Sequence, residues 1–338
     1  MNVLKTMIPV AAMVTASLLS HKPAAASPLD TSRVPVDAKW VAHLDVQATM
    51  KSDLGVLVIE DLRAMGLEDG VRKIRAIFGV DPLTGFTGIT MFGRSYGEED
   101  GVIMIEAVAD TARLEELLEA GDDYRKSSYN TRTIHSWVEA EGKAKGTRKY
   151  GVVDRKNREG SSLIIVANDR DRLTGTLDVI DGRKANITKT TKDVLKARPD
   201  KGSMLYIAAD NVAEAAKEKD AHSAMVRTAR SMILDVGEQK GVTFIDMQVN
   251  TNTAQQARNL QQMVRGMLAA VSMAQESAEH PLTQLVDAVE VNAAESTTLA
   301  RFTYDSQELY AVLKQLHAER EAEAAAAKQA PIAGQPDE

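Results

Sequence analysis

The chain has 338 residues, is 44% apolar, and carries 41 basic against 48 acidic side chains for a formal net charge of −7. It has no cysteine, which excludes disulfides, thiolate nucleophiles and thiolate metal sites. The acidic balance disfavours a nucleic-acid partner, and length and apolar content suffice for one large or two modest packed domains.

Residues 1–26 read as an export signal. Lys5 gives a positive end, Met7 to Leu19 a short apolar run, and Ala24-Ala25-Ala26 before Ser27 a small-residue cleavage site. The run is too short to span a membrane, and no later stretch reaches the ~18 uninterrupted apolar residues of a spanning helix. A periplasmic or secreted protein is expected, with no transmembrane segment in the mature chain.

Residues 27–38 carry two prolines among polar residues and read as a tether. In Trp40 to Val46 the residues Trp40, Ala42, Leu44 and Val46 fall on one strand face, with Val41, His43 and Asp45 on the other. Helical spacing follows over 49–78, broken near Gly66 and Gly70. Asp81-Pro82 stops it, and Phe86 to Phe92 and Val102 to Val108 form strands around the polar turn Gly93 to Gly101. Asp110 then caps a helix carrying Leu114, Leu117 and Leu118. Strand candidates lie at Tyr124 to Ser128, Thr133 to Val138 and Ser162 to Ala167, with a basic loop at 143–158. Asp169 caps a helix with Leu173, Leu177 and Ile180 at offsets of four, eight and eleven.

The opening pattern recurs at Pro199 to Asp210, where Leu205, Ile207 and Ala209 stand for Trp40, Ala42 and Leu44. The spacing then predicts a helix over Val212 to Val236, a strand at Val242 to Val249, and a long helix from about Thr253 to Glu276. A short helical piece after Pro281 precedes a hairpin of Ala288 to Asn292 with Thr297 to Tyr304. Asp305 caps a last helix, with Leu309, Leu313 and Leu316 at the same three offsets as after Asp169. The expected class is α+β: two related strand-helix-strand-helix-hairpin-helix halves, 27–190 and 191–322, built on mainly antiparallel sheet backed by helices. The Glu, Ala and Lys-rich tail, 323–338, is expected to be disordered.

Candidate chemistry is sparse. Gly93-Arg94-Ser95-Tyr96-Gly97 matches the G-x-S-x-G pattern of serine hydrolases, which needs its serine on a strand-to-helix turn; here it lies between two strands, where a glycine-rich hairpin loop explains the same letters. His43 and Asp45 share a strand face, where a carboxylate could tune an imidazole for acid and base work. The second copy keeps Asp210 but has Ala208 in place of His43, which favours a helix-capping role for the aspartate. His135 and Trp137 likewise share a face and read as an ordinary sheet edge. Lys143, Lys145, Arg148, Lys149, Arg155, Lys156 and Arg158 crowd into one stretch that could bind an anionic polymer or membrane surface, or be simply solvated. The turn Glu98-Glu99-Asp100 lacks the alternating ligands of a calcium loop. No H-E-x-x-H, phosphate-binding loop, dinucleotide fingerprint or zinc spacing occurs, so no cofactor and no metal site is expected.

The run Pro35 to Val46, the step Gly79-Val80-Asp81-Pro82, the strand ending Phe92-Gly93, and the closing hairpin followed by a Leu-x-x-x-Leu helix together resemble uncharacterised secreted proteins of planctomycete-type bacteria. The resemblance implies an extracytoplasmic α+β protein without an assigned activity, and it transfers no catalytic residues. The leading expectation is a non-enzymatic structural or binding protein whose partner is another protein or a cell-envelope polymer. A hydrolase using Ser95 or His43, and anionic-surface binding through 143–158, are the alternatives.

Overall fold

The computed structural model describes residues 27–64, 71–72, 74–76, 79, 81–140, 144–154, 161–215, 227–274 and 280–329. Twelve strands form one antiparallel sheet: β1 (Trp40–Asp45), β2 (Phe86–Gly93), β3 (Gly101–Ala107), β4 (Arg125–Tyr129), β5 (Arg132–Val138), β6 (Arg148–Asp154), β7 (Ser162–Ala167), β8 (Ser203–Asp210), β9 (Ala229–Gln239), β10 (Val242–Thr251), β11 (Val289–Ala294) and β12 (Thr297–Asp305). Their order across the sheet is β11-β12-β10-β9-β8-β1-β2-β3-β7-β6-β5-β4. The helices are α1 (Val46–Lys51), α2 (Asp53–Ala64), α3 (Pro82–Gly85), α4 (Thr111–Glu119), α5 (Arg170–Ile180), α6 (Asp193–Lys196), α7 (Ala254–Met273), α8 (Pro281–Asp287) and α9 (Ser306–Gln329). The fold is α+β, as the alternation of strands and capped helices predicts.

The two strands that open the halves lie side by side at the centre. β1 pairs antiparallel with β8, and the register places Trp40 opposite Ala209, Ala42 opposite Ile207 and Leu44 opposite Leu205. Since Trp40 corresponds to Leu205 and Leu44 to Ala209 in the recurring pattern, this register maps onto itself about the Ala42–Ile207 pair. Outward from that pair the order is β1-β2-β3-β7-β6 on one side and β8-β9-β10-β12-β11 on the other, each built from an opening strand and two hairpins. The first side adds β5 and β4 at its edge.

Period-2 alternation divides the sheet into a histidine face (Val41, His43 and their cross-strand partners) and a tryptophan face (Trp40, Ala42, Leu44). On the first side the histidine face holds the largest core: Val41, Phe92, Val102, Ile165, Leu173 and Leu177 are all buried there. Helix α5 covers it because Asp169 accepts from the Arg172 N–H at its N-terminus and Leu173 and Leu177 then point inward, fully buried. Residues 27–38, expected as a tether, instead form a packed strap on this face. Val34 is fully buried, its carbonyl accepts from Ile187 N–H at 2.7 Å, and Arg33 meets Glu106 at 2.5 Å.

The tryptophan face is covered by α1 and α3 on the first side and by α7, α8 and α9 on the second. Thr298 Oγ1 donates to the Ala257 carbonyl of α7, Tyr304 Oη to Gln284 of α8, and Thr243 bonds Ser306 at the start of α9. The aspartate caps are present as read at Asp45, Asp110, Asp169 and Asp305.

Two expectations are corrected. The predicted helix over Val212 to Val236 does not run to its end: Val212–Ala215 is a short turn, residues 216–226 lie outside the described residues, Arg227 and Thr228 are helical, and Ala229–Gln239 is strand β9. Its contiguous Met232, Ile233 and Leu234 satisfy helix and strand periodicity alike, and pairing with both β8 and β10 decides the matter. The basic stretch 143–158 is not one loop: β6 runs through it, with Val152 buried in the core. In the expected tail, α9 continues to Gln329, as helix-favouring Ala, Glu and Lys allow; residues 330–338 and the breaks at Gly66 and Gly70 lie outside the described residues.

Burial separates leucines that the sequence treats alike. Leu177→Ala is expected to cost roughly 2–5 kcal/mol in urea unfolding, as a cavity in a closed core does, whereas Leu117→Ala, at a position 44% exposed, should change stability by no more than about 0.5 kcal/mol.

Candidate functional site

His43 is buried, and both ring nitrogens are engaged: Nε2 lies 2.8 Å from the Ser27 carbonyl and Nδ1 2.9 Å from Thr90 Oγ1. A carbonyl only accepts, so Nε2 carries the proton and Nδ1 accepts from the threonine hydroxyl. Burial holds the imidazole below its ordinary pKa, so it is neutral and ties the strap to β1 and β2. Asp45, beside it, accepts from the Ala48 N–H at 2.8 Å as the cap of α1, and burial pushes its carboxyl up.

Ser95 belongs to a different constellation. Its N–H and that of Arg94 donate to Asp100 Oδ2, its carbonyl accepts from Trp40 Nε1 at 2.8 Å, and its hydroxyl accepts weakly from the Gly97 N–H. Gly93, which opens the motif, lies against the Trp40 ring, where an added Cβ would come within 2.8 Å of Nε1. The glycine and the turn thus serve packing and loop closure. His135 is buried beneath α4 and meets Tyr124 Oη at 2.9 Å; burial lowers its pKa as well. The structure therefore does not bring Ser95, His43 and His135 together.

Of the seven basic residues, Lys143, Arg155, Lys156 and Arg158 lie outside the described residues. Arg148 is paired with Asp123, and Lys149 with Asn168. Lys145 is exposed in the turn before β6. The seven-residue strand β6 holds the two ends of the stretch roughly 20 Å apart.

Two features that residue types alone did not single out are better built. The first is the histidine face of the second side. Because α7, α8 and α9 all sit on the tryptophan face, strands β10, β12 and β11 turn a mostly polar surface outward, with Phe244 and Leu299 half-buried within it. Glu290, Asn292, Arg301 and Thr303 are exposed there, and Gln248, Asn250 and Thr297 are half-buried. Asn250 Nδ2 donates to Ser231, and its Oδ1 accepts from Gln248 and Thr297, fixing a ladder of amides and hydroxyls. Arg301 grips Asp246 with two bonds of 2.7 and 2.6 Å, cancelling both charges. The alternation of Asp246, Gln248 and Asn250 with Ile245, Met247 and Val249 was a legible signal for this surface. The second feature is a cleft of about 330 Å³ between residues 35–38, the β2–β3 turn and α5.

Between covered and open face, one register row carries polar groups across the sheet: Thr90, His43, Tyr206, Asp235, Asp246, Arg301, Glu290. Midway, Tyr206 Oη and Asp235 Oδ1 are buried without a hydrogen-bond partner. Asp235 Oδ2 accepts from the Asp200 N–H at 2.7 Å, yet burial still pushes its carboxyl up.

These features define an α+β protein in which no nucleophile, base and orienting acid converge among the described residues. No helix among them is long and apolar enough to cross a membrane, and no group of three or more acidic or histidine side chains there is placed to hold a metal. No protein-family model matches the sequence, and neither does any curated protein. Among solved structures the chain is similar to TP0453, a Treponema protein. Crystal form III aligns over 86% of this chain and 99% of that one, with a TM-score of 0.46 and 9% identity. Crystal form I aligns over 87% and 98%, with a TM-score of 0.43 and 9% identity.

Two titrations follow. His43 resists protonation in the folded state but not in the unfolded one, so stability should fall as pH drops below about 6.5 and on through its lowered folded value. In urea unfolding between about pH 7.5 and 5, His43→Gln should flatten that decline, while the similarly buried His135 keeps part of the slope. For Asp235 the sign is opposite: the carboxyl folds more readily protonated, so stability is lost as pH rises from the ordinary carboxylate range through its raised folded value. Asp235→Asn should stabilise by on the order of 1 kcal/mol near pH 7, and this gain should vanish below about pH 4.

Proposed function

We propose that the protein is a non-enzymatic binding protein of the cell envelope, acting outside the cytoplasm, and that the open histidine face of β10, β12 and β11 is its binding surface. The observation that carries this reading is the chemistry of that face. An exposed sheet surface held by amide and hydroxyl bonds, with its one Asp–Arg pair internally neutralised, offers donors and acceptors in balance and little net charge. Such a surface suits a neutral, hydroxyl-rich polymer, which places cell-envelope glycan ahead of nucleic acid or anionic lipid. The export signal read in residues 1–26 and the resemblance to secreted proteins support the compartment. Ser95 and His43, each bonded into separate structural roles, lend the hydrolase reading no geometry.

The test is co-sedimentation of the purified mature chain with insoluble cell-wall polysaccharide. Binding is expected to change little with salt, because the net charge of the face is small, Glu290 alone standing beside the Asp246–Arg301 pair, and Asn292→Lys with Thr303→Lys, both exposed on the face, should abolish it without lowering the unfolding midpoint. Binding that collapses with salt and survives the double substitution would instead assign the contact to the basic residues around β6.

A further inference from the structure

The cleft beside the β2–β3 turn has walls drawn from residues 35–38, 92–102 and 171–185. Its floor is apolar: Phe92, Val102 and Val179 belong to the buried core. Its rim carries charges of both signs, Arg94, Arg172 and Lys184 against Asp37, Asp100 and Asp171. A concave site with an apolar floor and a few polar groups, near the lower end of the usual ~300–1,000 Å³, is the ordinary form of a small-molecule site.

The rim charges are not equally committed. Arg172 is largely buried and holds Asp100 with two nitrogens. Lys184 meets Asp178 at 3.1 Å. Arg94, in contrast, is half-exposed, and its nearest carboxylates, Asp37 at 3.7 Å and Asp100 at 3.8 Å, stand beyond hydrogen-bond length. Its guanidinium fork therefore keeps the geometry that receives a carboxylate bidentately. On the opposite wall Asp171, in the first turn of α5, supplies a negative group. Between them α5 presents Gly175, where an added Cβ would have only Lys184 Nζ within 4 Å, at 3.9 Å. Glycine in a helix interior costs roughly 1 kcal/mol against alanine, and here it leaves the space open.

We infer that this cleft binds a small zwitterion with an apolar body, of the size of a free aliphatic amino acid, its carboxylate on Arg94, its ammonium toward Asp171 and its side chain over Phe92 and Val179. A rim balanced in sign favours a zwitterion over a simple anion, which would meet three carboxylates as well as three cations. The G-x-S-x-G turn then matters for its arginine, and Ser95 is not among the lining residues.

The experiment is calorimetric titration of the full mature chain with L-leucine, N-acetyl-leucine and leucine amide. L-Leucine should bind with a dissociation constant in about the millimolar range or tighter, and each derivative, lacking one charge, at least about tenfold more weakly. Arg94→Gln should weaken leucine by a similar factor while the derivatives converge. Gly175→Leu should abolish binding while leaving the unfolding midpoint equal or higher, since leucine favours the helix and fills the void. Absence of heat with all three probes at about 100 times that constant, equal binding of all three, or unchanged leucine binding by both variants would each overturn the assignment. None of these outcomes bears on the glycan-binding face, which lies on the other side of β1 and β8.

Discussion

The pairing of β1 with β8 is the contact on which the rest of the structure depends. Each strand is the innermost member of its own set, seven strands on one side and five on the other, and only their five register pairs make the sheet continuous. Small residues keep the seam tight: Ala42, Ala208 and Ala209 are all buried. Side chains then lock it at its ends. Tyr96 Oη donates to the Asp210 carbonyl at 2.6 Å, Lys192 Nζ to the Ala38 carbonyl at 2.8 Å, and the Asp210 N–H to the Lys39 carbonyl at 2.8 Å. Burial and the nearby Asp210 and Glu214 hold the Tyr96 phenol well above its ordinary range, so it remains a donor throughout the accessible pH range.

About that seam the two sides share strand order but not the placement of their last helix. Helix α5 turns onto the histidine face after β7, and α9 turns onto the tryptophan face after β12. Both begin at an aspartate cap and carry leucines at the same offsets, so spacing alone cannot choose the face. The neighbours of the first turn choose it. Ser306 is fully buried against Thr243 on the tryptophan face and Leu309 is buried behind it, while Leu313 is already 42% exposed. In α5, Leu173 and Leu177 are both fully buried on the histidine face. The open polar surface is the consequence of that one divergence, and its amide ladder matches a surface built for water or polar ligand rather than for a helix.

Strands and helix starts were legible because each rests on a local rule: alternation for β1, β2, β3, β7, β8 and β10, and an aspartate ahead of an apolar stripe for the helices. Two strands were not. In β9 the apolar run Met232 to Leu234 has no single period, and the inward positions include the buried polar residues Ser231 and Asp235, which sequence reading assigns to the surface. In β6 the core-facing Tyr150 and Val152 are flanked by charge, so the basic run masked the alternation. The strap over 27–38 was missed because its prolines read as loop, although Thr31 and Val34 are buried and the strap is tied to distant segments, Val34 to Ile187, Val36 to Ala185 and Ala38 to Lys192. The cleft was illegible for the same reason: its walls meet only after β2, β3 and α5 are in place.

The polar row from Thr90 to Glu290 connects these observations. On its covered end His43 is neutral and fully satisfied, because the strap and Thr90 supply one acceptor and one donor. At its open end Asp246 and Arg301 are charged and satisfied by each other. In between, Tyr206 and Asp235 are buried: Asp235 Oδ2 accepts from the Asp200 N–H ahead of β8, while Tyr206 Oη and Asp235 Oδ1 are left without a partner. The second copy of the opening strand has Ala208 where the first has His43, and Ala208 is fully buried in the apolar core that also holds Val34 and Ala38 of the strap. A histidine that first invites a catalytic reading is thus explained by the strap that covers it, and the chemistry available to a ligand moves outward, to the face that no helix covers and to the cleft beside Arg94.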